Sequence, residues 1–297
     1  MKWLKKILTR KKHGNSLDRK IAIPVFCYHS VNITGTAYDQ NDHVALEEDL
    51  RTLWRLGFRL LSPVKLARVL RGEENLPRHE RYASITFDDG SDLDYFDYDH
   101  PDAGMVKSLQ HILEETPLSR DVAQQEALTA SFVIVSPEAR KELTVTCFLG
   151  QDLIRDNWWY ECSQKRLIGI ANHSWDHAHE TLMRVCQKDN IKGSFYDITT
   201  YEDADRQIRI AQDYLDKMTK DASMRVFAYP YGHASSYLVE EYFPVFQKEH
   251  RQLAAYGLDP TPVTKEANIW NLPRYVCGKH WKAREEFEDI LKDCVKS

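Results

Sequence analysis

Apolar, β-branched runs alternate with amphipathic stretches along most of the chain. Ile21 to Tyr28, Tyr82 to Phe87, Ser131 to Val135, Leu167 to Ala171 and Met224 to Tyr229 are short, nearly continuous apolar segments bounded by turn-forming residues, the pattern of strands buried on both faces. Between them, Val44 to Leu56, Val64 to Leu70 and Tyr201 to Met218 repeat apolar residues at helical spacing. Strand and helix in alternation predict an α/β architecture built on a parallel sheet. No internal repeat or low-complexity linker divides the 297 residues, and a (β/α) barrel of about 250 residues commonly folds as one unit.

Two of the predicted strands run into residues suited to chemistry. Ser84-Ile85-Thr86-Phe87 leads into Asp88-Asp89-Gly90, and the strand before residue 172 leads into Asn172-His173-Ser174-Trp175-Asp176-His177. Asp-Asp-Gly ends a strand in a turn. The i, i+4 spacing of His173 and His177 predicts one helical turn carrying both rings on one face. Two imidazoles and one carboxylate leave coordination positions open, as a catalytic rather than a structural metal site requires. A second carboxylate beside the first is placed to act as a general base. A third segment, Val226 to Gly232, reads as a strand stopped by Pro230 and Gly232.

These motifs resemble the polysaccharide deacetylases, the NodB-homology group of carbohydrate esterases. The family's Thr-Phe-Asp-Asp-Gly is matched from Thr86 to Gly90, and its His-Ser/Thr-x-x-His/Asp by His173, Ser174 and His177. The resemblance implies a distorted, incomplete (β/α) TIM-like barrel with its site at the C-terminal strand ends. It implies Asp89, His173 and His177 as metal ligands, Asp88 as base and Ser174 as a brace for the histidine loop. In the family's Arg-x-Pro-Tyr wall the tyrosine N–H helps to hold the oxyanion, a role that falls here to Tyr231 after Pro230. Ala228 stands where the family arginine that orients the base would be, and Arg274 in Asn271-Leu272-Pro273-Arg274-Tyr275 is the candidate to replace it. The segment Ile23 to Val31, with Tyr28-His29, resembles the permuted deacetylases of poly-N-acetylglucosamine, in which that element supplies the catalytic acid. His29 is accordingly the expected acid, with His280 the alternative.

The expected reaction is metal-dependent removal of an N-acetyl group from an amino sugar or glycan. The alternatives are hydrolysis of another C–N bond, in a cyclic imide or ureide, and an inactive carbohydrate-binding homologue. Zinc suits a His-His-Asp set, and cobalt, nickel or iron would also be accepted. Trp159, in Trp158-Trp159-Tyr160, is a candidate for stacking on a sugar ring.

Charge and composition refine the picture. Residues 1–20 form a basic tail, holding eight of the 40 Lys and Arg but one of the 45 acids, while residues 21–297 form an acidic catalytic domain. Trp3, Leu4, Ile7 and Leu8 among the lysines suit contact of residues 2–20 with an anionic membrane surface. No secretory pattern and no spanning stretch is read, so the expected location is cytoplasmic or peripheral at the inner face of the membrane. Six cysteines without Cys-x-x-Cys spacing are expected to be free thiols. Net negative charge without a recognition motif speaks against nucleic acid as a partner. An atypical insertion at about 91–130, rich in aspartate, is expected to be a solvated loop rather than a calcium site.

Overall fold

The structure is a computed structural model, which describes residues 22–77, 79–119, 126–185 and 192–296. The proposed membrane-contacting tail and Cys186 lie outside the described residues.

Seven parallel strands make the main sheet: β1 (Val25–Tyr28), β3 (Arg81–Phe87), β6 (Thr129–Val133), β7 (Ile168–Asn172), β8 (Val226–Ala228), β9 (Ala254–Tyr256) and β10 (Tyr275–Val276). Their order is β10-β1-β3-β6-β7-β8-β9, and a short β2 (Phe58–Leu60) also pairs with β3. Because the strands alternate with helices, each crossover covers a face of the sheet, and β1, β6, β7, β8 and β9 are buried along their whole length. A single bridge between Tyr256 and Leu272, just ahead of β10, draws the last strand of the path back toward the first. The sheet is therefore a curled, incompletely closed (β/α) barrel.

Helices α1 (Asp42–Arg55) and α2 (Pro63–Leu70) begin two residues and one residue before the predicted Val44 and Val64. The stretch predicted as one helix from Tyr201 runs as α-helix (Tyr201–Asp205), a π-helical turn (Arg206–Ile210) and α-helix again (Ala211–Thr219). Among the described residues no helix is long and apolar enough to cross a membrane. The described cysteines, Cys27, Cys147, Cys162, Cys277 and Cys294, are free.

The expectation of a solvated loop after Gly90 is corrected in part by the structure, which leaves Asp97, Asp99 and Asp102 exposed but orders the segment. The segment folds into an antiparallel hairpin, β4 (Tyr98–His100) with β5 (Gly104–Val106), followed by helix α3 (Leu109–Glu115). Two of its aspartates are buried. Asp92 accepts from Arg155 Nε at 2.5 Å, and Asp94 from Ser30 Oγ and Ser131 Oγ, each at 2.5 Å. Partners distant in sequence thus replace the water that so many carboxylates would otherwise keep.

Candidate active site

Asp88 and Asp89 follow β3 directly, and His173 follows β7 directly. The Asp-Asp-Gly turn needs left-handed backbone at both Asp89 (φ 73°) and Gly90 (φ 67°). At Gly90 a Cβ would also lie 2.4 Å from Val133 Cγ1, so only glycine lets the turn sit against β6. This sharp reversal leaves the Asp88 carboxylate inside the barrel and that of Asp89 partly open to the cleft, with side-chain exposures of 4% and 29%.

The histidines come together, but not on a helix. Residues 173–178 form an irregular loop with positive φ at Ser174, His177 and Ala178. The loop is held by the π turn, where the Gln207 carbonyl accepts from Trp175 N–H at 3.0 Å and the Ile208 carbonyl from Asn172 Nδ2 at 2.8 Å. The Gln207 side chain adds a bond from Nε2 to Asp176 Oδ1 at 2.7 Å. A π turn displaces carbonyls from the helical ladder, and such turns recur at functional sites. Within the loop Ser174 Oγ accepts from His177 N–H at 2.8 Å. None of the Gln207 contacts is signalled by the sequence, since a glutamine in mid-helix carries no mark of its partner.

His173 Nδ1 lies 2.9 Å from the carbonyl of Ala228. A carbonyl only accepts, so Nδ1 carries the proton and Nε2 presents its lone pair. That Nε2 and the Nε2 of His177 each stand 3.6 Å from Asp89 Oδ1. This is too far for a hydrogen bond, yet donors sharing a tetrahedral ion at ~2.1 Å stand roughly 3.4 Å apart. Asp89, His173 and His177 thus form a compact three-donor cluster, and the donor set fits a divalent cation. Burial, with His173 and His179 nearby, holds His177 well below the usual imidazole range, in the neutral form a ligand needs.

Arg274, fully buried, reaches Asp88 with a bidentate fork: Nη1 to Oδ1 at 2.7 Å and Nη2 to Oδ2 at 2.8 Å. The fork is aimed by Thr86 Oγ1, which accepts from Nη1 at 3.1 Å, and by the Gly257 carbonyl, which accepts from Nε at 3.0 Å. Burial alone would raise the Asp88 carboxyl, but Arg274, then His173, outweigh it and hold the group ionised, well below the usual carboxylate range. An arginine immediately before β10 thereby stands against the carboxylate that Ala228 cannot orient.

His29, at the end of β1, joins Asp88, Asp89, His173, His177 and Tyr231 around a cleft of about 240 Å³. Its backbone N–H donates to Asp42 Oδ2 at 2.7 Å. His280 is not among the residues lining the cleft; its Nδ1 accepts from Val276 N–H at 2.8 Å. Buried Pro230 opens the tight turn that sets Tyr231 at φ 59°, and no backbone partner is found for Tyr231 N–H among the described residues. Trp159 is misplaced by the sequence reading: it is 0% exposed, with Arg140 over its ring, and belongs to the core. Two larger clefts, of about 470 and 590 Å³, lie elsewhere and contain none of the cluster. Cys27, whose sulfur closes on His29 and Asp88, is a neighbour that the motifs did not reveal.

Fold and cluster together define an incomplete (β/α) barrel of the deacetylase type, with candidate chemistry at the C-terminal strand ends. Residues 121–242 match the sequence model of the family described as polysaccharide deacetylase, and the chain's resemblance to that family stands. The matched stretch contains both histidines and Tyr231 but not Asp88 and Asp89. The fold is similar to that of the Streptococcus pyogenes deacetylase PplD in complex with acetate (14% identity, 94% of this chain and 100% of that one, TM-score 0.61). It is also similar to IcaB from Ammonifex degensii (16%, 92% and 97%, 0.57) and to the BpsB deacetylase domain from Bordetella bronchiseptica (14%, 86% and 96%, 0.54). No match is found among curated proteins.

Proposed function

We propose that the protein is a glycan N-deacetylase, hydrolysing the N-acetyl group of an amino sugar to acetate and a free amine. The observation that carries this reading is the meeting of Asp89, His173 and His177 within 3.6 Å contacts beside an arginine-clamped carboxylate. Asp89, His173 and His177 would hold a divalent cation, zinc first and cobalt, nickel or iron as substitutes, which would supply carbonyl polarisation and a more acidic water. Asp88 takes the proton from the attacking water. Its two oxygens are each engaged by Arg274, but each keeps a second lone pair for that transfer. Tyr231 N–H, without a backbone partner, donates to the oxygen that gains charge as the acetyl carbon becomes tetrahedral. His29, at the cleft wall, hands a proton to the departing nitrogen.

The test is acetate release across N-acetylated oligosaccharides, monosaccharide derivatives and cyclic imides. Turnover of imides with no acetate from any glycan would replace the reading with its C–N hydrolase rival. Separate His29→Ala and His280→Ala variants test the acid: loss of turnover in the His280 variant alone would overturn the assignment to His29.

A further inference from the structure

From the candidate metal ligand His177 a row of aromatic rings runs out of the cleft, and its outer members, His233 and Tyr196, have no part in the mechanism. The His177 ring lies edge-on to Tyr231 with centroids 4.6 Å apart. Tyr231 leans on His233 at 5.3 Å, and His233 stacks on Tyr196 at 4.3 Å with 19° between the planes. One face of Tyr196 is thus covered while the residue stays 53% exposed, so the opposite face is open. The turn carrying it is fixed from below. Phe195 and Ile198 are 0% exposed, and Ser235 Oγ, two residues beyond His233, donates to the Ile198 carbonyl at 2.8 Å.

Size gives this row its meaning. A cleft of about 240 Å³ is smaller than the ~300–1,000 Å³ that enclose a drug-sized ligand. On the deacetylase reading it would hold about one sugar unit, and the rest of a chain would run over the surface. An isolated exposed tyrosine would mean nothing. A platform that begins at a candidate metal ligand and ends in an open aromatic face does. Pyranose rings present flat C–H faces rimmed by hydroxyls, which suits such a face, and Asp197, exposed on the same turn, offers a carboxylate to the rim.

We propose that Tyr196, backed by His233, is a subsite that stacks a pyranose of a glycan chain whose neighbouring unit occupies the cleft. This rests on the deacetylase reading and adds to it a preference for oligomers over single sugars. The test compares wild type, Tyr196→Ala and Tyr196→Phe on a five-unit N-acetylglucosamine oligomer and on a small aryl acetate, with calorimetric binding of the oligomer measured separately. Tyr196→Ala should raise KM and Kd for the oligomer roughly 3- to 10-fold, with kcat and aryl acetate turnover within twofold of wild type. Tyr196→Phe, which keeps the ring, should behave as wild type. Equal changes on both substrates, no change on the oligomer, or no oligomer binding by wild type would each overturn the subsite. If acetate is released but Tyr196→Ala is indifferent, only the subsite fails. If the oligomer binds through Tyr196 but no acetate appears, only the deacetylase reading fails.

Discussion

Two buried carboxylates a few residues apart, Asp88 on the cleft floor and Asp94 within the insertion, face opposite electrostatic settings. Both have lost their water. Asp88 is met by a charged fork from Arg274, which keeps it ionised. Among the described residues Asp94 meets only two neutral hydroxyls, those of Ser131 and Ser30. Burial, reinforced by Asp89 and Asp92, pushes it up to about 7 against their pull. Equal burial therefore gives a permanent anion in one place and a group close to neutrality in the other. The difference lies in the partner's charge, not in the number of donors. The cleft floor is built to hold charge, whereas the insertion is built to pack.

The largest effect should come from removing divalent metal. Dialysis against a chelator should abolish acetate release, and added zinc or cobalt should restore it; full activity in metal-free protein would remove the assignment of Asp89, His173 and His177. Asp88→Asn comes next. It should lower acetate release ~10²–10⁴-fold, the span of a lost general base, while elemental analysis still finds metal. Third is Arg274→Met, which leaves the Asp88 charge buried without its partner. Urea unfolding near neutral pH should find it about 3–5 kcal/mol less stable. The double variant Asp88→Asn/Arg274→Met should recover part of that loss, because no charge is then stranded. If Arg274→Met cost nothing, the contrast between the two carboxylates would collapse.

What the sequence made legible follows the range of the interactions involved. The strand ending in Asp88-Asp89-Gly90 is a local signal, and the turn lies where the pattern puts it. The His173 and His177 spacing is also local, but it is ambiguous between a helix and a loop. The loop wins because Gln207 and Ile208, some thirty residues on, supply its hydrogen bonds. Arg274 illustrates a longer reach. The family pattern, with Ala228 in the arginine's place, made Arg274 a candidate partner of Asp88, but nothing local shows that it arrives; it does so because β10 lies beside β1, and β1 beside β3, whose end carries the carboxylate. Trp159 and the insertion were misread for the same reason. Whether an aromatic or an aspartate meets solvent depends on elements such as Arg140, Arg155 and Ser131, which no window around the residue contains.

The smallest effect concerns Asp94, and its sign follows from linkage. An unfolded aspartate titrates near 3.9, whereas folded Asp94 titrates at about 7. Between those values the folded state binds the proton more tightly. The stabilisation is fully present below pH ~4 and is lost as pH rises through about 7. Asp49, also raised to about 7 by burial despite donors from Tyr38, Tyr28 and Trp281, adds a second contribution of the same sign. Asp94→Asn keeps an acceptor for one serine and has no proton to lose. The wild type should therefore lose roughly 2.6 kcal/mol more than the variant between pH 5 and pH 8, read as a difference in urea midpoints at the two pH values. Parallel pH profiles for the two proteins would mean that Asp94 is ionised like Asp88, with hydroxyls alone sufficient to hold a buried charge.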